Sequence, residues 1–193
     1  MQALLLLGFL VTGGALAWGL SRKRAEARPA PAVVPRLPAS VTGMDATALV
    51  SLGDSLGVGL SPYLAAWAAT RGLRFIDDTK VGRFTQQQAV DMVPAGALVF
   101  VSLGTNDATS SSGATALPQF AANLRARGPR GIVWLVPPAT KVLPGIDAVR
   151  ATIRALPGIT AVETAAPMRS DGLHPSSYVD VAADVSPVLE RFI

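Results

Sequence analysis

ALVSLGDSLGVG, residues 48–59, passes from a run that is apolar except for Ser51 into a cluster of small and polar residues. Ala48–Leu52 shows no alternation of polar and apolar side chains. A strand of that kind is buried on both faces, as in a parallel sheet covered by helices. Gly53-Asp54-Ser55-Leu56-Gly57-Val58-Gly59 follows, and a helical spacing of apolar residues begins at Val58 and runs to Arg71. Ser55 thus falls at a strand-to-helix turn, where its hydroxyl is presented and its N–H lies at a helix N-terminus. The glycines permit a tight turn and close approach. The same residues also describe an ordinary turn with Ser55 as a helix cap, and this motif alone leaves both readings open.

Working outward, the pattern repeats. Strands are expected at Leu73–Asp77, Ala97–Leu103, Gly131–Val136 and Ile159–Glu163. Helices are expected at Val58–Arg71, Thr85–Met92, Ala114–Arg127, Ile146–Leu156 and Ser176–Phe192. Five strand–helix repeats imply an α/β fold of three layers, α/β/α, around a mostly parallel five-stranded sheet. The site of such a fold lies beyond the carboxyl ends of its strands.

Two further motifs fall there. Gly104-Thr105-Asn106-Asp107 follows the third strand, and the Asn106 amide could donate to a developing oxyanion. An Asn-Asp turn with local hydrogen bonds is the plainer reading. Asp171-Gly172-Leu173-His174-Pro175 precedes the last helix. A histidine takes a serine proton only if its ring is held in one tautomer, and an aspartate three residues earlier can reach the other ring nitrogen. A lone loop histidine beside a helix cap is the alternative.

Composition removes other chemistries. The chain has no cysteine, so thiol nucleophiles, thiolate metal sites and disulfides are excluded. His174 is the single histidine of 193 residues, which rules out a multi-histidine metal centre. The net charge is +4, but five of the 17 basic residues lie at Arg22, Lys23, Arg24, Arg28 and Arg36. From Met44 onward bases and acids balance at 12 each, so nucleic-acid binding is not expected.

Taken together, GDSL (53–56), GTND (104–107) and DGLHP (171–175) resemble the first, third and fifth sequence blocks of the SGNH hydrolase superfamily, the GDSL-like esterases. The resemblance spans about residues 48–193. It implies the family's flavodoxin-like fold and an acyl-enzyme mechanism, with Ser55 as nucleophile, His174 as general base and Asp171 as its orienting partner. It also implies an oxyanion hole made by the Ser55 N–H, the Asn106 side chain and a glycine N–H. Gly82, in Thr79-Lys80-Val81-Gly82-Arg83, is the best match for that glycine. Phe84-Thr85-Gln86 follows where the family often carries another small residue. No metal or organic cofactor is implied. Asp54 and Asp107 are read as local hydrogen-bonding residues and Trp67 and Trp134 as core. Arg83 is read either as a solvated surface arginine or as a contact for an anionic substrate.

Residues 1–21 carry no charged side chain, and the 18 residues from Ala3 to Leu20 are long enough to span a membrane. Trp18 would lie at the interface, and Ser21-Arg22-Lys23-Arg24 at the headgroups. An uncleaved transmembrane anchor is expected. A signal peptide cut near Ala15-Leu16-Ala17 is the alternative, but it lacks a basic start. Residues 22–43, with four prolines, read as a basic linker, and 44–193 as the hydrolase domain. The charge rule places that domain in the cytoplasm, whereas envelope substrates would place it outside. The expected function is a serine esterase, an O-deacetylase acting on a carbohydrate or cell-wall polymer. A lysophospholipase or thioesterase acting on lipid-derived esters is the second reading. A membrane-anchored structural protein on a retired hydrolase fold is the third.

Overall fold

The computed structural model describes residues 48–111 and 113–193. The expected anchor (1–21) and linker (22–43) lie outside the described residues. Among the described residues no helix is long and apolar enough to cross a membrane.

The five strands are β1 (Ala48–Gly53), β2 (Arg74–Thr79), β3 (Leu98–Ser102), β4 (Gly131–Leu135) and β5 (Thr160–Val162). They form one parallel sheet in the order β2-β1-β3-β4-β5. The four helices are α1 (Ser55–Ala69), α2 (Gly113–Ala126), α3 (Ile146–Ala155) and α4 (Tyr178–Leu189).

The apolar strands do alternate, but between two cores rather than between core and water. Val50, Leu52, Val99, Val101 and Trp134 pack on the face covered by α2 and α3, together with Leu117, Leu124, Val149 and Ile153. Leu49, Leu98, Phe100, Val133 and Leu135 pack on the opposite face with Leu60 and Leu64 of α1 and Val181 and Val185 of α4. Each such side chain contributes roughly 1.5–3 kcal/mol on leaving water, which is why the central strands admit no alternation.

Two expectations change. The helix starts at Ser55 rather than Val58, because Asp54 caps it by accepting from the Leu56 N–H at 3.0 Å. The expected helix Thr85–Met92 is not formed, and the segment holds a single 3-10 turn, Thr85–Gln87. Its polar groups have stronger partners elsewhere. The Thr85 N–H and hydroxyl both donate to Asp107 (3.1 and 2.8 Å), and the buried Gln88 turns its amide to Asp78 at 2.7 Å. Gln88 is extended at φ −87°, ψ 116°, which lets Val90 and the buried Val93 reach the core.

Candidate active site

Ser55 is the first residue of α1, so its N–H has no acceptor within the helix. The turn before it is fixed from both sides. The Lys80 N–H donates to the Gly53 carbonyl at 2.9 Å, and the Asp54 N–H to the Ser102 carbonyl at 3.0 Å. The backbone also packs closely here. A Cβ on Gly57 would lie 2.4 Å from Ser102 Oγ and 2.7 Å from Thr79 Cγ2, so no other residue fits without displacing a neighbour. Asp54, next to Ser55, is fully buried, and burial pushes its carboxyl up to about 7.

The candidate acid–base pair comes from the other end of the described chain. Residues 167–176 fold back on themselves. The Arg169 N–H donates to the His174 carbonyl (2.8 Å), the Ser176 N–H to the Pro167 carbonyl (2.8 Å) and the Gly172 N–H to the Arg169 carbonyl (2.9 Å). At the tip, Asp171 Oδ1 accepts from the N–H groups of Leu173 (2.8 Å) and His174 (3.0 Å). Its other oxygen meets His174 Nδ1 at 2.9 Å. The His174 N–H, then the Leu173 N–H and then the imidazole hold the Asp171 carboxyl well below the usual carboxylate range, so it stays ionised. An ionised carboxylate only accepts, so Nδ1 carries the ring proton and Nε2 presents its lone pair. Ser55 Oγ lies 2.9 Å from that Nε2, in position to donate to it. Serine, histidine and aspartate thus form one hydrogen-bonded line.

The candidate oxyanion donors follow the C-terminal ends of three adjacent strands: Gly82 after β2, Ser55 after β1 and Asn106 after β3. Gly82 has φ +77°, which L side chains rarely adopt. Its N–H donates to no other described residue. Asn106 Nδ2 donates to the Arg83 carbonyl at 3.1 Å, which orients the amide and leaves its second N–H available. A second tie runs in parallel: Asp107, pushed upward by burial, accepts from Thr85. These two bonds join the segment after β2 to the segment after β3. Asp107 departs from its local reading: its carboxylate bonds across to the segment after β2 rather than within its own loop. The motifs themselves gave no sign of these ties.

Arg83 is not a solvated surface arginine, and it lines the cleft beside Gly82. Its guanidinium donates to Asp78 Oδ1 (2.9 Å), to Gln88 Oε1 (2.6 Å) and to the Asp78 carbonyl, while Gln88 closes the ring onto Asp78 Oδ2. The arginine is partly buried and its charge is met inside the protein. Trp134 is core as expected, with its indole N–H on the Leu103 carbonyl at 2.9 Å, and Trp67 is buried with Arg71 stacked over it at 4.3 Å. Among the described residues no three His, Cys, Asp or Glu side chains group as metal ligands would.

No protein-family model and no curated protein matches the chain by sequence. Solved structures do match. A member of the lipolytic G-D-S-L family from Veillonella parvula superposes with a TM-score of 0.61 at 16% identity, over 76% of this chain and 100% of that one. A family two carbohydrate esterase from Clostridium thermocellum gives 0.55 at 15% identity, over 75% and 63%. The C-terminal catalytic domain of peptidoglycan O-acetyltransferase A from Streptococcus pneumoniae gives 0.51 at 14%, over 75% and 89%. The fold of this chain is that of the SGNH, or GDSL, hydrolases.

Proposed function

We propose that the protein is a serine esterase that works through an acyl-enzyme, with Ser55 as nucleophile, His174 as general base and Asp171 as the residue that holds the imidazole. The observation that carries this reading is the continuous line Ser55 Oγ–His174 Nε2 and His174 Nδ1–Asp171 Oδ2, 2.9 Å at each step. His174 takes the hydroxyl proton as Ser55 attacks an ester carbonyl. The imidazolium then faces the ionised Asp171 and returns the proton to the departing alcohol. The Ser55 N–H, the Gly82 N–H and the second N–H of Asn106 receive the negative charge on the carbonyl oxygen. Water activated by His174 releases the acyl group.

The substrate we propose is a small acyl ester, such as acetate, on a carbohydrate or cell-wall polymer. Two features support it: the fold relatives named as a carbohydrate esterase and a peptidoglycan O-acetyltransferase, and the open, polar-rimmed cleft beside Gly82 lined by Lys80, Arg83 and Gln87. The N-terminal apolar run adds a membrane tether to the proposal, and with it a lipid-derived ester as second reading.

Labelling with a fluorophosphonate probe tests the chemistry. Wild type labels and Ser55→Ala does not; an unlabelled wild type refutes the esterase reading and favours a retired fold. Nitrophenyl esters of increasing chain length test the substrate class. Turnover should fall beyond short acyl groups, and a preference for long chains overturns the deacetylase reading. Labelling in intact against permeabilised cells reports the membrane side.

A further inference from the structure

The cleft beside Gly82 has a volume of about 410 Å³ and is lined by Lys80, Val81, Gly82, Arg83 and Gln87. Ser55 and His174 do not line it, but its turn is tied to the Ser55 turn through the backbone. The Lys80 N–H is bonded to the Gly53 carbonyl, two residues before Ser55, and the Arg83 N–H closes the turn onto the Lys80 carbonyl at 3.2 Å. The candidate oxyanion glycine therefore sits inside a turn whose first and last side chains are cations.

The two cations are not equivalent. Arg83 is held by Asp78 and Gln88, so its charge is already balanced. Lys80 is exposed and has no ion-pair or hydrogen-bond partner for its ammonium among the described residues. No carboxylate lines the cleft. Of the nearest acids in sequence, Asp78 is held by Arg83 and Gln88, and Asp77 is exposed and accepts from the Thr79 N–H at 3.1 Å; neither lines the cleft. Val81, 68% exposed, places an apolar edge beside the ammonium. A cleft with one unbalanced positive charge, an apolar edge and no acid on its walls attracts a ring-bearing anion.

With a small acyl group at the oxyanion donors, the larger alcohol half of the ester is the part that needs an open cleft. We infer that this cleft receives the alcohol half of the substrate, that this half carries an oxyanion group, and that Lys80 is the residue that selects it. The inference rests on the esterase reading above. It moves the anion contact from Arg83, where the sequence suggested it, to the residue three positions earlier.

The test uses 4-acetoxybenzoate and its neutral isostere 4-acetoxybenzamide, with the purified full chain and its Lys80→Gln and Lys80→Arg variants. The measured quantity is kcat/KM for the anion divided by kcat/KM for the amide. Lys80→Gln should lower this ratio about three- to fivefold, as expected for one partly solvated charge pair. Lys80→Arg should restore most of it, and raising salt to about 0.5 M should shrink the difference. 4-Acetoxyphenyl phosphate, assayed in parallel, reports whether carboxylate or phosphate gives the larger ratio. A ratio unchanged in Lys80→Gln, or lost equally in Lys80→Arg, overturns the role of Lys80 while leaving the esterase reading intact. Absence of wild-type turnover on both probes overturns the two together.

Discussion

The two halves of the candidate site are held in place by different means. The nucleophile half is built on the core. Every residue of β1 is buried, Asp54 next to Ser55 is buried, and Gly57 packs against Ser102 and Thr79. The acid–base half is built on local hydrogen bonds in a surface loop, where the side chains of His174 and Asp171 are 31% and 44% exposed. Changes of shape in the first half bear directly on the core. The second can lose its function while the fold survives, because little apolar surface depends on it.

The largest effect that would break this contrast is on the loop. His174→Ala should lower kcat/KM by on the order of 10⁴-fold or more with the thermal midpoint within about 2 °C of wild type. A variant that loses activity by melting would show that the loop is structural after all.

The next effect concerns Asp54. Burial pushes this carboxyl up to about 7, from an ordinary value of 3.8. The folded state therefore binds the proton more tightly than the unfolded state, so stability is fully present below about pH 4 and is lost as pH rises through about 7. The loss is on the order of 4 kcal/mol at most. Asp54→Asn keeps a capping side chain and should flatten the midpoint between pH 4 and 7. An unchanged slope would mean that the buried carboxyl is not the titrating group.

Asn106 stands between the halves. It sits on a core-anchored segment yet is oriented by one bond to the Arg83 carbonyl. Asn106→Ala should cost about 10²- to 10³-fold in kcat with small change in KM. A loss confined to KM would place the amide in ground-state binding instead. The smallest effect sharpens the core side. Gly57→Ala should destabilise by about 1–3 kcal/mol through overpacking against Ser102 and Thr79, read from chemical denaturation. A neutral result would mean that those side chains yield freely.

The same contrast explains what the sequence revealed. The central strands were legible because burial on both faces leaves apolar runs such as Leu98–Val101, whereas the edge strand β2 is partly exposed. Ser55 and the Asp171–His174 pair were legible because a strand-to-helix turn and a three-residue spacing are local features. The Thr85–Met92 segment misled because its side chains answer to residues distant in sequence, Asp107 and Asp78. The pairing of Arg83 was hidden for a different reason: its partners lie within five residues, but in a folded ring rather than at a helical spacing. The ties Asn106–Arg83 and Thr85–Asp107 are invisible in the sequence, since nothing local marks an acceptor 22 or 23 positions away.

Ser55 and His174 are separated by 119 positions, and their hydrogen bond joins the first helix of the domain to the loop before the last. Because β1 lies between β2 and β3 in the sheet, the turn that carries Ser55 and the loop that carries His174 meet only once the intervening strands and helices are in place, so catalytic competence comes with docking of the final segment.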